Sequence, residues 1–204
     1  MNRPLEPARL AADITVVLRR LRSESGFLLI ELLIALMLLN IGLLSIVTAF
    51  SAGSTALLRA SRKATAGALA DQQMELYRSL TYTAIALDQT SVNTTDSTYT
   101  GDSALGGSLS NDITTTTGCT GVPNQCNPSR SVTGPDHGGY RVDTYITWTC
   151  ASGTLGGTVS APTCSGTNAS RPAKLVVVVV RDGGNLAGTS FVREASTFDQ
   201  STGS

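Results

Sequence analysis

The chain has 204 residues, with 15 Lys+Arg against 15 Asp+Glu and only 15% of residues charged. That is enough for one modest domain plus an anchor, and zero formal net charge leaves no basic footprint for nucleic acid. With one histidine, His137, no Ser-His-Asp set, and no GxSxG, HExxH or phosphate-binding glycine loop, the composition argues against an enzyme, and no cofactor is expected.

Residues 1–26 read as a leader, with Arg19, Arg20 and Arg22 near its end. An apolar run follows, and from Leu32 to Leu58 no residue is charged. About 20 apolar residues suffice to cross a bilayer. Residues 27–52 are therefore expected to span the membrane, and the preceding arginines hold the N-terminus in the cytoplasm. A secretory signal peptide has a core of only about 7–15 apolar residues, followed by its cleavage site. The run here is longer and contains Glu31. An ordinary signal anchor accounts for the length, but for neither Gly26-Phe27 nor Glu31. A charge in hydrocarbon costs about 2.5–3.5 kcal/mol on insertion scales, so it should have a partner. Cutting between Gly26 and Phe27 supplies one, an α-amine four residues before Glu31, at helical spacing.

Residues 27–80 read as one long helix, spanning roughly 80 Å at 1.5 Å per residue. Its first half is apolar all round, as lipid or a bundle core requires. Gly42 marks a bend or a close contact. In the second half Leu58, Leu69, Leu76 and Leu80 form a stripe expected to pack on a sheet. Residues 81–139, rich in Thr, Ser, Gly, Asn and Asp, read as a long connecting loop with one or two short strands. Its Asp residues read as ordinary loop and surface positions. The few cations weighed for a nucleic-acid contact, Arg130, Arg141, Arg171 and Lys174, form no run.

Residues 140–150 alternate as a half-buried strand. Tyr140, Val142, Ile146, Trp148 and Cys150 share one face with Thr144, and Arg141, Asp143, Tyr145, Thr147 and Thr149 take the other. Residues 151–172 read as a Gly/Ser/Pro loop. The β-branched run 175–180 reads as a central strand covered on both faces. A turn at 182–185 leads into a third strand over 189–197. The expected fold class is α+β, a long N-terminal helix packed on a small antiparallel sheet, with residues 53–204 forming an exported head.

Cys119, Cys126, Cys150 and Cys164 all lie in that head, where an oxidising compartment favours disulfides. Four cysteines allow three pairings. Cys119–Cys126 with Cys150–Cys164 closes two short loops, each bond adding roughly 2–3 kcal/mol by loop entropy. The spacings do not suit zinc, and His137 sits in a turn-like Gly134-Pro135-Asp136-His137-Gly138-Gly139 segment.

Gly26-Phe27, Glu31 and the run Leu32-Leu33-Ile34-Ala35-Leu36 behind a basic leader resemble the processing site of type IV prepilins and type II secretion pseudopilins. The resemblance covers about residues 19–80; the rest fits the class only in outline. It implies a pilin-like fold, with residues 81–139 as the variable αβ-loop. It also implies cleavage after Gly26 by an aspartic prepilin peptidase of the inner membrane and methylation of the Phe27 amine. Glu31 would pair with its own Phe27 amine or with that of the preceding subunit. No proline falls in the apolar run, so the kink of many major pilins is not expected here. Length, loops and the Asn40-Ile41-Gly42-Leu43-Leu44 segment look most like the type IV pilus modification group of minor pilins. Such proteins are implied to work with other minor pilins and the major pilin to initiate assembly at the filament tip, passing from the inner membrane, head periplasmic, into the fibre. The competing readings are a minor pseudopilin of a type II secretion system and an adhesin or DNA-uptake pilin, although no nucleic acid is expected as a partner.

Overall fold

A computed structural model describes residues 29–92, 95–106, 108–115, 124–186 and 188–200. The chain divides between Thr55 and Ala56 into two units. One helix, α1 (Leu29–Arg78), runs through the division. Within the first unit, residues 29–55 extend about 40 Å at the α-helical rise, more than the roughly 30 Å of a bilayer core. By length and composition this is a candidate membrane-spanning helix near the N-terminus.

The second unit holds the rest of α1 and an antiparallel sheet. In chain order its further elements are β1 (Leu87–Asp88), the single-turn helix α2 (Ser97–Thr100), β2 (Thr114–Thr115), β3 (Ser129–Thr133), β4 (Gly139–Cys150), β5 (Thr154–Thr158), β6 (Ala161–Ser165), β7 (Pro172–Asp182) and β8 (Val192–Phe198). The main sheet has the order β3-β4-β7-β8, every pair antiparallel, with Thr144 opposite Val178 and Ile146 opposite Val176. The α+β layout expected from the sequence is present.

The central strands β4 and β7 are buried on both faces. On one face Ala66, Ala70, Met74 and Tyr77 of α1 pack against Tyr140, Val142, Ile146, Val176, Val178 and Val180. On the other, Tyr99 and Leu105 pack against Tyr145, Val177 and Val179. The valine run of β7 thus feeds two cores at once, at about 1.5–3 kcal/mol for each side chain fully buried.

Four expectations need correction. The fully buried stripe of α1 is Ala66, Ala70, Gln73, Met74 and Tyr77; of the expected leucines Leu69 and Leu80 pack at its edge, half-buried, and Leu58 is exposed. Alanines let the helix approach the sheet closely, and the two polar members are satisfied. Tyr77 donates to the Gln125 carbonyl at 2.7 Å and Gln73 to that of Asn124 at 3.2 Å. The second face of β4 is not solvated, since Arg141, Asp143, Tyr145 and Thr147 are all buried. What covers it is the stretch read as a connecting loop. Between residues 82 and 111 the chain makes short helical turns, three of them capped by Asp88, Asp96 and Asp102 and a fourth by Ser108. Each cap accepts from a backbone N–H that a short turn leaves unpaired. Residues 151–172 are not loop throughout either, because β5 and β6 form a separate hairpin. Cys164 of that hairpin is disulfide-bonded to Cys150 at the end of β4.

Candidate functional site

The charged position picked out by the sequence, Glu31, lies in the first turn of α1. It is the only charged residue from Leu29 to Leu58. Around it the large side chains point outward: Leu29, Ile30, Leu33, Met37, Leu44, Ile46 and Phe50 are each more than half exposed. The polar side chains of this segment turn back onto their own helix. Asn40 donates to the Leu36 carbonyl, Ser45 to that of Ile41 and Thr48 to that of Ser45, at 2.8–2.9 Å. In hydrocarbon an unsatisfied donor costs several kcal/mol, so these bonds suit a segment without water. Gly42 has open space where a Cβ would lie, so among the described residues nothing packs on it. Gly26 and Phe27 lie outside the described residues.

Of the cysteines, Cys150 and Cys164 are bonded as the short-loop pairing expects. Cys126 is also disulfide-bonded, and Cys119 lies outside the described residues.

The head contains a second concentration of charge, which the sequence reading took for surface. Arg141 pairs with Asp96 and, through Nε at 2.7 Å, with Asp143. Arg181 reaches Asp143 at 3.2 Å and pairs with Asp102, which also takes Arg193 at 2.7 Å. Three guanidiniums and three carboxylates thus balance, with Asp143 fully buried at the centre. Burial opposes the charge on Asp102, but the Ala104 N–H and the Arg193 and Arg181 guanidiniums outweigh it and hold the carboxyl below its usual range. Asp96 is lowered in the same way, against burial, by Arg141 and the N–H groups of Tyr99 and Thr98. Such a network closes the capped turns onto the sheet; none of it offers a free nucleophile or a general base.

Beside it Asp112 has no cationic partner among the described residues. Burial pushes its carboxyl up to about 6, although the Tyr99 hydroxyl and the Ile146 N–H lie within bonding reach. The Tyr99 hydroxyl sits 2.8 Å from both Asp112 Oδ2 and the Thr144 carbonyl. It has one proton for two acceptors. Below about pH 6 a protonated Asp112 can donate to the tyrosine oxygen while Tyr99 donates to the Thr144 carbonyl; above it the Tyr99 hydroxyl serves the carboxylate.

Lys174 is buried as well. Its ammonium donates to the carbonyls of Tyr82 at 2.8 Å and Ile85 at 2.7 Å and lies 4.7 Å from the centre of the Tyr82 ring. Burial pulls it down to about 8. The cations considered for nucleic acid therefore do not share a surface, since Arg141 and Lys174 are both interior. No group of three or more metal-ligating side chains occurs among the described residues.

Sequence reasoning missed Asp96, Asp102 and Asp143. A usable signal was present for two of them. Asp96-Ser97-Thr98 and Asp102-Ser103-Ala104, like Asp88-Gln89-Thr90, repeat an Asp whose side chain caps the N–H two residues on.

Comparison with protein-family models, with curated proteins and with solved structures returns no match.

Proposed function

We propose that the chain is a minor type IV pilin. Prepilin peptidase cuts it after Gly26, its new Phe27 amine is methylated, and it takes part in initiating pilus assembly at the filament tip. The observation that carries the reading is Glu31, the lone charge between Leu29 and Leu58 of α1, a stretch whose large side chains are apolar and face outward. A desolvated charge left unpaired is far more costly than a pair. After cleavage the nearest cation in sequence is the Phe27 ammonium. Paired with its own amine, Glu31 lowers the cost of membrane residence. Paired with the amine of a preceding subunit, it fixes axial register while apolar helix faces supply packing.

The head contributes a rigid body to such a filament. Its sheet is closed by α1 on one face and by capped turns on the other, and a disulfide ties the β5–β6 hairpin to β4.

Mass spectrometry of the N-terminal peptide, from cells with and without prepilin peptidase, tests the processing step. The expected product is N-methyl-Phe27, found only when the peptidase is present. An uncut chain in both strains would sink the reading and leave a signal-anchored head. Glu31→Ala should preserve membrane insertion yet abolish recovery of the protein in sheared pili; normal recovery would remove the pairing role. Cross-linking to pilus or secretion-system subunits separates this assignment from a minor pseudopilin of a type II secretion system, which shares the same processing.

A further inference from the structure

A groove of about 370 Å³ lies between the turn at residues 103–106, the end of β4 and the β5–β6 hairpin. That volume falls within the range of about 300–1,000 Å³ usual for small-molecule sites. Among the described residues none that lines it is charged. Ser103, Asn111 and Thr147 bring polar groups to it, and Trp148 and Leu155 bring apolar surface. Among the described residues no side-chain hydrogen bond engages the Thr147 hydroxyl, and Asn111 uses its amide NH2 on the Leu105 carbonyl, leaving its oxygen. The indole N–H of Trp148 is committed to the Val159 carbonyl at 2.8 Å, so the ring offers hydrocarbon and not a donor.

The backbone adds two more polar groups. β3 covers the outer edge of β4 only as far as Asp143. Beyond it, Ile146 directs its N–H to Asp112 Oδ1 and its carbonyl to the Ile113 N–H, away from β7. Residues two apart on a strand point their backbone groups the same way. Trp148 therefore turns its N–H and carbonyl to that same side, where the groove lies. The walls are held in place: the Cys150–Cys164 disulfide and the Trp148–Val159 bond both fasten the hairpin to β4.

We propose that this groove binds a neutral saccharide ring. An anion or a cation finds no counter-charge among the lining residues. An apolar ligand would strand the Thr147 hydroxyl, the Asn111 oxygen and the free strand edge without partners, which is unfavourable. A peptide adding as a strand needs a longer edge than residues 148–150 provide. A sugar ring has what remains: no charge, one face of C–H groups for Trp148 and Leu155, and a rim of hydroxyls that both donate and accept. Binding does not depend on processing or filament assembly, so an uncut chain would still bind.

Trp148 is the only tryptophan of the chain, so its emission reports on this groove alone. The test uses the full chain in a zwitterionic detergent without a sugar head group. It is titrated with the methyl glycosides of glucose, galactose, mannose, N-acetylglucosamine and N-acetylgalactosamine, with methyl glucuronide and a blocked trialanine as comparisons. At least one neutral glycoside should give a saturable emission shift with a Kd of a few mM, roughly the strength expected for a single ring. The same glycoside should show saturation-transfer NMR contacts. Thr147→Val, which keeps the shape of the side chain, should weaken binding about five-fold, the loss of one hydrogen bond, with an unchanged near-UV spectrum. Leu155→Glu, at the rim, should also weaken it. Failure of every neutral glycoside by both fluorescence and NMR would overturn the proposal. So would equal binding of the glucuronide or the peptide, or binding indifferent to both substitutions.

Discussion

The two units of this chain invert each other. From residue 29 to 55 the apolar side chains face outward and the polar ones fold back onto their own helix. On the second face of the head's sheet, arginines and aspartates lie inside and pair with one another. Each arrangement would be unfavourable in the other's surroundings. An exposed apolar helix is stable only where something other than water covers it, and a buried charge only where an opposite charge meets it. Where a side chain sits is therefore decided by what is available to contact it, and not by its hydropathy alone.

The sharpest way to break the comparison is at the centre of the ion network. Asp143→Ala leaves Arg141 and Arg181 buried without their shared carboxylate. The expected loss is about 3–5 kcal/mol in denaturant unfolding of the head. A loss below about 1 kcal/mol, the worth of an exposed pair, would mean that water reaches these groups. In the apolar unit the matching change is Leu44→Asp, at a position that is 65% exposed. It should cost about 2.5–3.5 kcal/mol in membrane insertion, and the variant should be released by alkaline carbonate where Leu44→Ala is retained.

Asp112→Asn sharpens the picture through pH. The folded carboxyl is raised from its ordinary value of 3.8 to about 6. Between those values the folded state holds more protons than the unfolded one, so this group's contribution to stability falls as pH rises from about 4 to about 6. Asn carries no such titration and can keep a donor toward Tyr99 and an acceptor for Ile146. The variant should match the parent in melting temperature below about pH 4. Near pH 8 it should exceed the parent in stability, by at most about 3 kcal/mol. Equal stability at both pH values would mean that Asp112 is ionised in the fold. Asp96 and Asp102, whose carboxyls are lowered, act with the opposite sign: their contribution is present above about pH 4 and is lost on acidification. The smallest effect belongs to the Arg62–Asp182 pair, 3.4 Å apart and half exposed. Arg62→Ala should change stability by less than about 0.5 kcal/mol, and a larger loss would show that surface pairs matter more here than the comparison allows.

The long helix and the two central strands were legible because hydropathy period reports them directly. The β-branched run 175–180 has no reading compatible with one wet face, and β7 is buried on both. The second layer was not legible for a different reason. Residues 82–111 form turns too short to show a period, and they are held to β4, β7 and β8 by ion pairs that are distant in sequence, such as Asp102 with Arg193. Alternation in β4 was read correctly as two faces, but a polar face need not be a wet one. Tyr145, lodged among Arg141, Asp143 and Thr147, was the warning, since an aromatic that large asks for cover. In the candidate site, Glu31 needed no structure to be noticed, because a lone charge in an apolar run is visible in one dimension. Asp143 looked like any other polar strand residue until Arg181 was brought beside it.

The chain has two lysines, and the fold hides one of them. Lys63 stands exposed on α1, whereas the ammonium of Lys174, on β7, is buried and donates to the carbonyls of Tyr82 and Ile85. An amine-reactive dye or cross-linker applied to the folded head would thus mark a single address, one on the helix and none on the sheet.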